Sequence, residues 1–229
     1  VIHIAHDKID FSKREVDGAR YLKQAWTATR GGNSTDAAAA ERFSAKEERA
    51  ALGAAHSSED RMQAGLAFIT AVADGSNLTL DPDLDTYYAM DAATIKLPAL
   101  LGATLDVQQA VNLSTPDRAI RLSVAIDRLQ QLSRAAATSI ETSMKDNISG
   151  ETRKALGDTI PALNTATEKF IAAARNAKPG TDFGIECNRF AGALDDIWNR
   201  TNDELLRLLN ARVSTQRDEL SDQLNWIFS

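Results

Sequence analysis

The strongest constraint on this chain lies in its last fifth. From about residue 183 to residue 228 there is no proline, and Phe190, Leu194, Ile197, Leu205, Leu209, Val213, Leu220, Leu224 and Ile227 recur at spacings built from threes and fours. Those spacings put every one of them on a single stripe of one helix. Such a helix is about 68 Å long, against a mean of about 11–12 residues for helices in globular proteins. A rod of that length needs other helices beside it throughout, and helices with one apolar stripe pack nearly parallel, at about 20°. The fold expected is all-α: an elongated antiparallel bundle.

Composition agrees with this. The 229 residues include 38 Ala but only 12 Gly and 5 Pro, with 6% aromatics and few of the β-branched runs that strands need. The formal charge of −6 disfavours a role in gripping phosphate backbones, so nucleic acid is not an expected partner. Cys187 is the only cysteine, which excludes an intrachain disulfide and the cysteine-rich zinc sites. The longest stretch without charge, Met62–Ala73, is twelve residues, well short of the roughly 20 needed to cross a bilayer.

Breakers near 30–35, 74–83, 114–116, 148–150 and 178–182 divide the chain into about six helical segments: 1–29, 36–74, 84–113, 116–148, 151–177 and 183–228. Asp36 is placed to cap the second, which the Ala-rich stretch around Gly53 is expected to bend. Pro98 should kink the third segment or free a carbonyl there. Thr115 with Pro116 opens the fourth. The fifth has a clean seam of Leu156, Ile160, Leu163, Thr167, Phe170 and Ala174, with Pro161 as its weak point. A single unit spanning 1–229 follows, either one bundle with extra hairpins or two four-helix modules stacked end to end and sharing the long helices.

Catalytic patterns are scarce. The chain has no Gly-rich phosphate loop, no G-x-S-x-G elbow and no HExxH. No catalytic residue, cofactor or metal site is expected. His3 and His6, with Asp7 and Asp10, share a helical face, but a third strong ligand is lacking. Cys187 reads as a small core residue rather than a redox thiol. Five N-x-[ST] sequons occur, at Asn33, Asn77, Asn112, Asn147 and Asn199, several at turns that favour those residue types anyway.

The densest feature is LTLDPDLDTYYAMD, residues 78–91. Asp81-Pro82 makes a turn, Asp83 or Asp85 can cap the helix that follows, and Tyr87 and Tyr88 point to adjacent faces one turn later. Three readings stand side by side: tyrosines that plug the end of a bundle, a small-ligand site at a helix start, or a protein-contact surface. At the other end of the chain, Trp226-Ile227-Phe228 is either the approach to a membrane interface or a tail that packs back on the bundle.

Read together, residues 9–26 (IDFSKREVDGARYLKQAW) and 80–98 (LDPDLDTYYAMDAATIKLP) resemble paired motifs of the extracytoplasmic all-helical sensor domains of bacterial transmembrane receptors. The matching positions are an apolar-aromatic pair, Glu15, Gly18 and Tyr21-Leu22 in the first stretch. In the second they are Asp81-Pro82-Asp83, Asp85, Tyr87-Tyr88, Met90-Asp91 and Leu97-Pro98. Similar domains occur on sensor histidine kinases, chemoreceptors and diguanylate cyclases. The resemblance implies a periplasmic domain, anchored in the bacterial inner membrane by a transmembrane helix on each side, and most fully a sensor histidine kinase. It makes Trp226 and Phe228 membrane-proximal anchors; what its motif positions bind does not follow from it, and Tyr21, Asp85, Tyr87, Tyr88 and Asp91 are the candidate ligand residues on the helix-start reading. The implied partners are a small-molecule signal or a periplasmic binding protein, and a second copy of the chain as a homodimer. The competing expectation is an intracellular helical scaffold for protein partners, which has no flanking apolar spans.

Overall fold

Periodicity of three and four along most of the chain leaves only helices to form, and the expected all-α bundle is what the residues build. The structure is a computed structural model that describes residues 2–32 and 35–228, apart from the side chains of Ile2, Ile227 and Phe228. Ten α-helices occur among the described residues: α1 (Ile2–Thr29), α2 (Ala37–Arg42), α3 (Lys46–Gly53), α4 (Ser58–Gly75), α5 (Leu84–Asp91), α6 (Leu97–Asn112), α7 (Arg118–Asp146), α8 (Glu151–Leu156), α9 (Thr159–Asn176) and α10 (Gly184–Phe228). A 3₁₀ turn, Leu78–Leu80, precedes α5, and a π turn, Ala92–Lys96, joins α5 to α6. No helix among the described residues is long and apolar enough to cross a membrane.

Helix α10 runs unbroken for 45 residues, and α1 lies antiparallel along it from Asp195 to about Gln223. Its first half packs with α6, α7 and α9 around Leu129, Ile140, Leu163, Phe170, Phe190 and Leu194, all buried. One continuous core joins this part to the α1–α4 part. Beyond Val213 the stripe of α10 is only half-buried at Leu220 and Leu224, and Ile4, Ala5 and Lys8 in the first turns of α1 lie beside Leu220.

Ten helices replace the six expected segments because four further breaks divide them, two in segment 36–74 and one each in 84–113 and 151–177. Segment 36–74 divides at Phe43–Ala45 and again before Ser57. Asp36 does cap α2, accepting from the Ala38 N–H. Phe43 is fully buried against Tyr21, and the chain reverses beyond it through Ser44, which adopts φ 57° in the left-handed region. Segment 151–177 divides at Gly157-Asp158, and Pro161 falls in the first turn of α9, where a missing N–H has no helical partner to lose. The fourth segment starts at Arg118, two residues beyond Pro116, with the Thr115 carbonyl accepting from Arg118 N–H.

Pro98 acts as its chemistry predicts. In the π turn the N–H of Leu97 bonds back to Ala92 O, so the same register would give Ala93 O the N–H of residue 98, which proline lacks. The buried Trp198 of α10 supplies the missing donor, its Nε1–H meeting Ala93 O at 2.7 Å. An unpaired buried carbonyl is expensive, so this bond pins the α5–α6 bend to α10.

Candidate functional site

The residues singled out from the sequence do not come together. Tyr21 is buried in the α1–α4 core, edge-on to Phe68 and beside Phe43, and its hydroxyl donates to Asp36 O. Asp85 and Asp91 instead face α7. Asp85 Oδ2 accepts from Asn147 Nδ2 at 2.9 Å, its Oδ1 takes the Thr86 N–H, and its carbonyl takes the Ser143 hydroxyl. Asp91 accepts from the buried Ser139 hydroxyl at 2.6 Å, with Lys96 Nζ 3.7 Å away. Both carboxylates are spent on locking α5 to α7. Tyr87 and Tyr88 stack edge to face with centroids 5.4 Å apart, Tyr87 being 37% exposed. Asp83 stands at the start of α5 without a side-chain cap bond; its own N–H is taken by Asp81 Oδ1 at 2.9 Å. Trp226 is 83% exposed, and the side chain of Phe228 lies outside the described residues.

What the two motifs do bring together is a buried charge cluster. Gly18 lies where a Cβ would stand 2.1 Å from Ser76, so only glycine lets the 76–81 turn close onto α1. That closure carries Asp81 to the α1–α10 seam, where Arg212 of α10 reaches three carboxylates. Its Nη1 lies 3.0 Å from Glu15 Oε2, its Nη2 2.6 Å from Asp81 Oδ1, and its Nε 2.7 Å from Asp83 Oδ2. Side chains of Glu15 and Asp81 are fully buried and Arg212 is nearly so, whereas Asp83 is about half exposed.

One guanidinium cannot fully offset two buried carboxylates and a third that is half exposed, and the titration behaviour follows from that. Burial pushes the Glu15 carboxyl up to about 8, with the charge of Asp81 adding to the effect and Arg212 opposing it. Burial raises Asp81 as well, again against the pull of Arg212. For Arg212, burial works against the charged form, but Asp81 and Glu15 together hold it above its ordinary value. Burial thus favours the protonated form of Glu15. Its Oε1 and the Oδ2 of Asp81 are buried with no hydrogen-bond partner, so the cluster keeps unused polar capacity. Its chemistry is that of a proton-holding latch across α1, α10 and the turn before α5, with no nucleophile paired to a base.

The cluster is one station on a longer polar seam between α1 and α10. Gln216 bonds Ser12, and Asn202 Nδ2 donates to Ala19 O. Lys23 pairs with Asp203, and Arg30 with Asp195. Between them Trp26 and Trp198 stack at 4.8 Å, 6° from parallel, with Trp26 Nε1 also donating to Asp195. The buried members of this seam, Glu15 with Arg212 and Asn202 with Ala19 O, favour the observed register, because sliding by a turn would leave buried polar groups unpaired. Glu15 and Asp81 were visible in the sequence as motif positions. Arg212 was not, its one signal being its place beside the Leu205–Leu209–Val213 stripe.

Other sequence candidates resolve simply. Burial pushes the Cys187 thiol up to about 12, which suits a core residue. His3 lies 3.7 Å from Asp7, and no group of three or more metal-ligating side chains occurs among the described residues. No protein-family model, no curated protein and no solved structure matches this chain.

Proposed function

We propose that this chain is the extracytoplasmic sensing domain of a bacterial transmembrane receptor, most fully a sensor histidine kinase, acting as a homodimer in the inner membrane. The observation that carries the reading is the α1–α10 pair. The two helices run antiparallel, and Ile4, Ala5 and Lys8 of α1 lie beside Gln216, Glu219 and Leu220 of α10. They are joined by a polar seam, Asn202 to Ala19, Arg212 to Glu15 and Gln216 to Ser12, whose pairing is specific to this register. A signal bound between helices changes how α10 sits against α1, by about 1–2 Å in switches of this kind. It does so only to the extent that it binds the two arrangements with different affinity. Phosphotransfer belongs to a cytoplasmic module, and this domain supplies the displacement. Both motifs of the sensor resemblance meet at Arg212, which gives their otherwise separate residues a common structural role in this reading.

The test is to read about 25 residues beyond each end of the chain in its gene. The sensor reading expects an apolar span of about 20 residues on each side. An intracellular scaffold has none, and their absence on both sides refutes the proposal.

A further inference from the structure

We propose that the cavity between α1, α4, α6 and α10 binds a small organic monocarboxylate. The cavity holds about 330 Å³ and draws its walls from all four helices. That size is within the range of about 300–1,000 Å³ typical of small-molecule sites, and the wall mixes polar and apolar surface in about equal measure. Met62 and Leu105 supply apolar surface, and Arg30, Arg61, Gln108 and Asn188 the polar groups.

The charge balance of those groups selects the ligand. Arg30 is matched: its Nε lies 3.0 Å from Asp195 Oδ1, and the same carboxylate also accepts from Trp26. Arg61 is half-buried, and its guanidinium has no hydrogen bond, ion pair or ring contact with any described residue. A guanidinium partly withdrawn from water is normally paired, and its planar fork is matched best by a carboxylate. One uncompensated positive charge calls for one negative charge. The amides of Gln108 and Asn188 offer both donors and acceptors to a carboxylate or to a hydroxyl beside it. The apolar part of the wall suits a short carbon chain.

The cavity also has a mechanical relation to the sensor reading, although binding does not depend on that reading. An acid held by Arg61 would join α4 to both α1 and α10, close to the Arg30–Asp195 end of the polar seam. Binding is measured on this chain alone, whereas the sensor reading is decided by the flanking sequence, so either can fail without the other.

Titration calorimetry of the chain with acetate, propionate and butyrate, and with propionamide as the uncharged control, tests the proposal. Saturable binding of at least one acid and none of propionamide is expected. Arg61→Gln should weaken that binding about tenfold or more, the cost of losing charge-assisted hydrogen bonds. Leu105→Phe should abolish it by filling the cavity while leaving the charge in place, with circular dichroism confirming that the variant is folded. Should Leu105→Phe not fold, Arg61→Gln alone decides. No saturable binding of any of the three acids at millimolar concentration, equal binding of propionamide, or full affinity in Arg61→Gln overturns the proposal.

Discussion

Replacing Glu15 with Gln removes the one proton that the buried cluster handles while keeping the shape of the side chain and an oxygen for Arg212. In the folded protein burial lifts Glu15 from its ordinary 4.5 to about 8. Between those values the native state holds a proton that the unfolded chain releases, so rising pH favours unfolding. The stability that protonated Glu15 contributes is fully present below about pH 4.5 and is lost as pH climbs toward 8. The slope is about 1.4 kcal/mol per pH unit for one group, which by pH 7 accumulates to about 3 kcal/mol. Glu15→Gln does not titrate and escapes that loss. Urea unfolding of both proteins at pH 5, 6, 7, 8 and 9 should show the variant gaining on the wild type up to about pH 8, with the difference levelling off above it. A difference that stays flat from pH 5 to 8 would mean that Glu15 is ionised and simply paired with Arg212, and the proton-holding account of the cluster would be wrong.

Three further outcomes follow from single contacts. Trp198→Phe leaves Ala93 O without a donor, costing about 1–3 kcal/mol in chemical denaturation beyond any packing loss, and Pro98→Ala in the same chain should recover part of it by restoring an N–H. Gly18→Ala drives a Cβ into Ser76 and should lower the melting temperature by an amount equivalent to about 1–3 kcal/mol, with Ser76→Gly as the rescuing partner. Because burial pushes the Cys187 thiol up to about 12, a thiol reagent at pH 8 should label it slowly, and denaturant should speed labelling sharply.

Local periodicity made most of the fold legible. The bounds of α1 and α10 follow from runs of apolar residues three and four apart, which need no knowledge of a partner. The breaks were hidden because their causes are distant. The turn at Ser44 accompanies burial of Phe43 on Tyr21, and nothing within a few residues of Ser44 announces it. Pro98 signalled a freed carbonyl, but the residue that satisfies it lies 105 positions from Ala93. The same distance problem separates motif from site. Glu15 and Asp81 stand out in sequence, whereas Arg212, which joins them, lies 197 and 131 residues away. Asp85 and Asp91 looked available to a ligand because their partners, Asn147 and Ser139, belong to another helix. Arg61 carried no sequence signal at all, since an unpaired arginine is recognisable only once its neighbours are placed.

The central claim is that α10 moves against α1 when the domain is occupied, and one distance measures it directly. Spin labels at Lys8→Cys and Glu219→Cys, in the full-length protein in membranes and with Cys187→Ala to remove the native thiol, report the spacing of the two helices where they lie side by side. Pulsed electron paramagnetic resonance with and without saturating propionate should show the distance distribution shifting by about 1–2 Å, the scale of helix shifts in such switches. Superimposable distributions, with calorimetry showing the cavity filled, would contradict the claim.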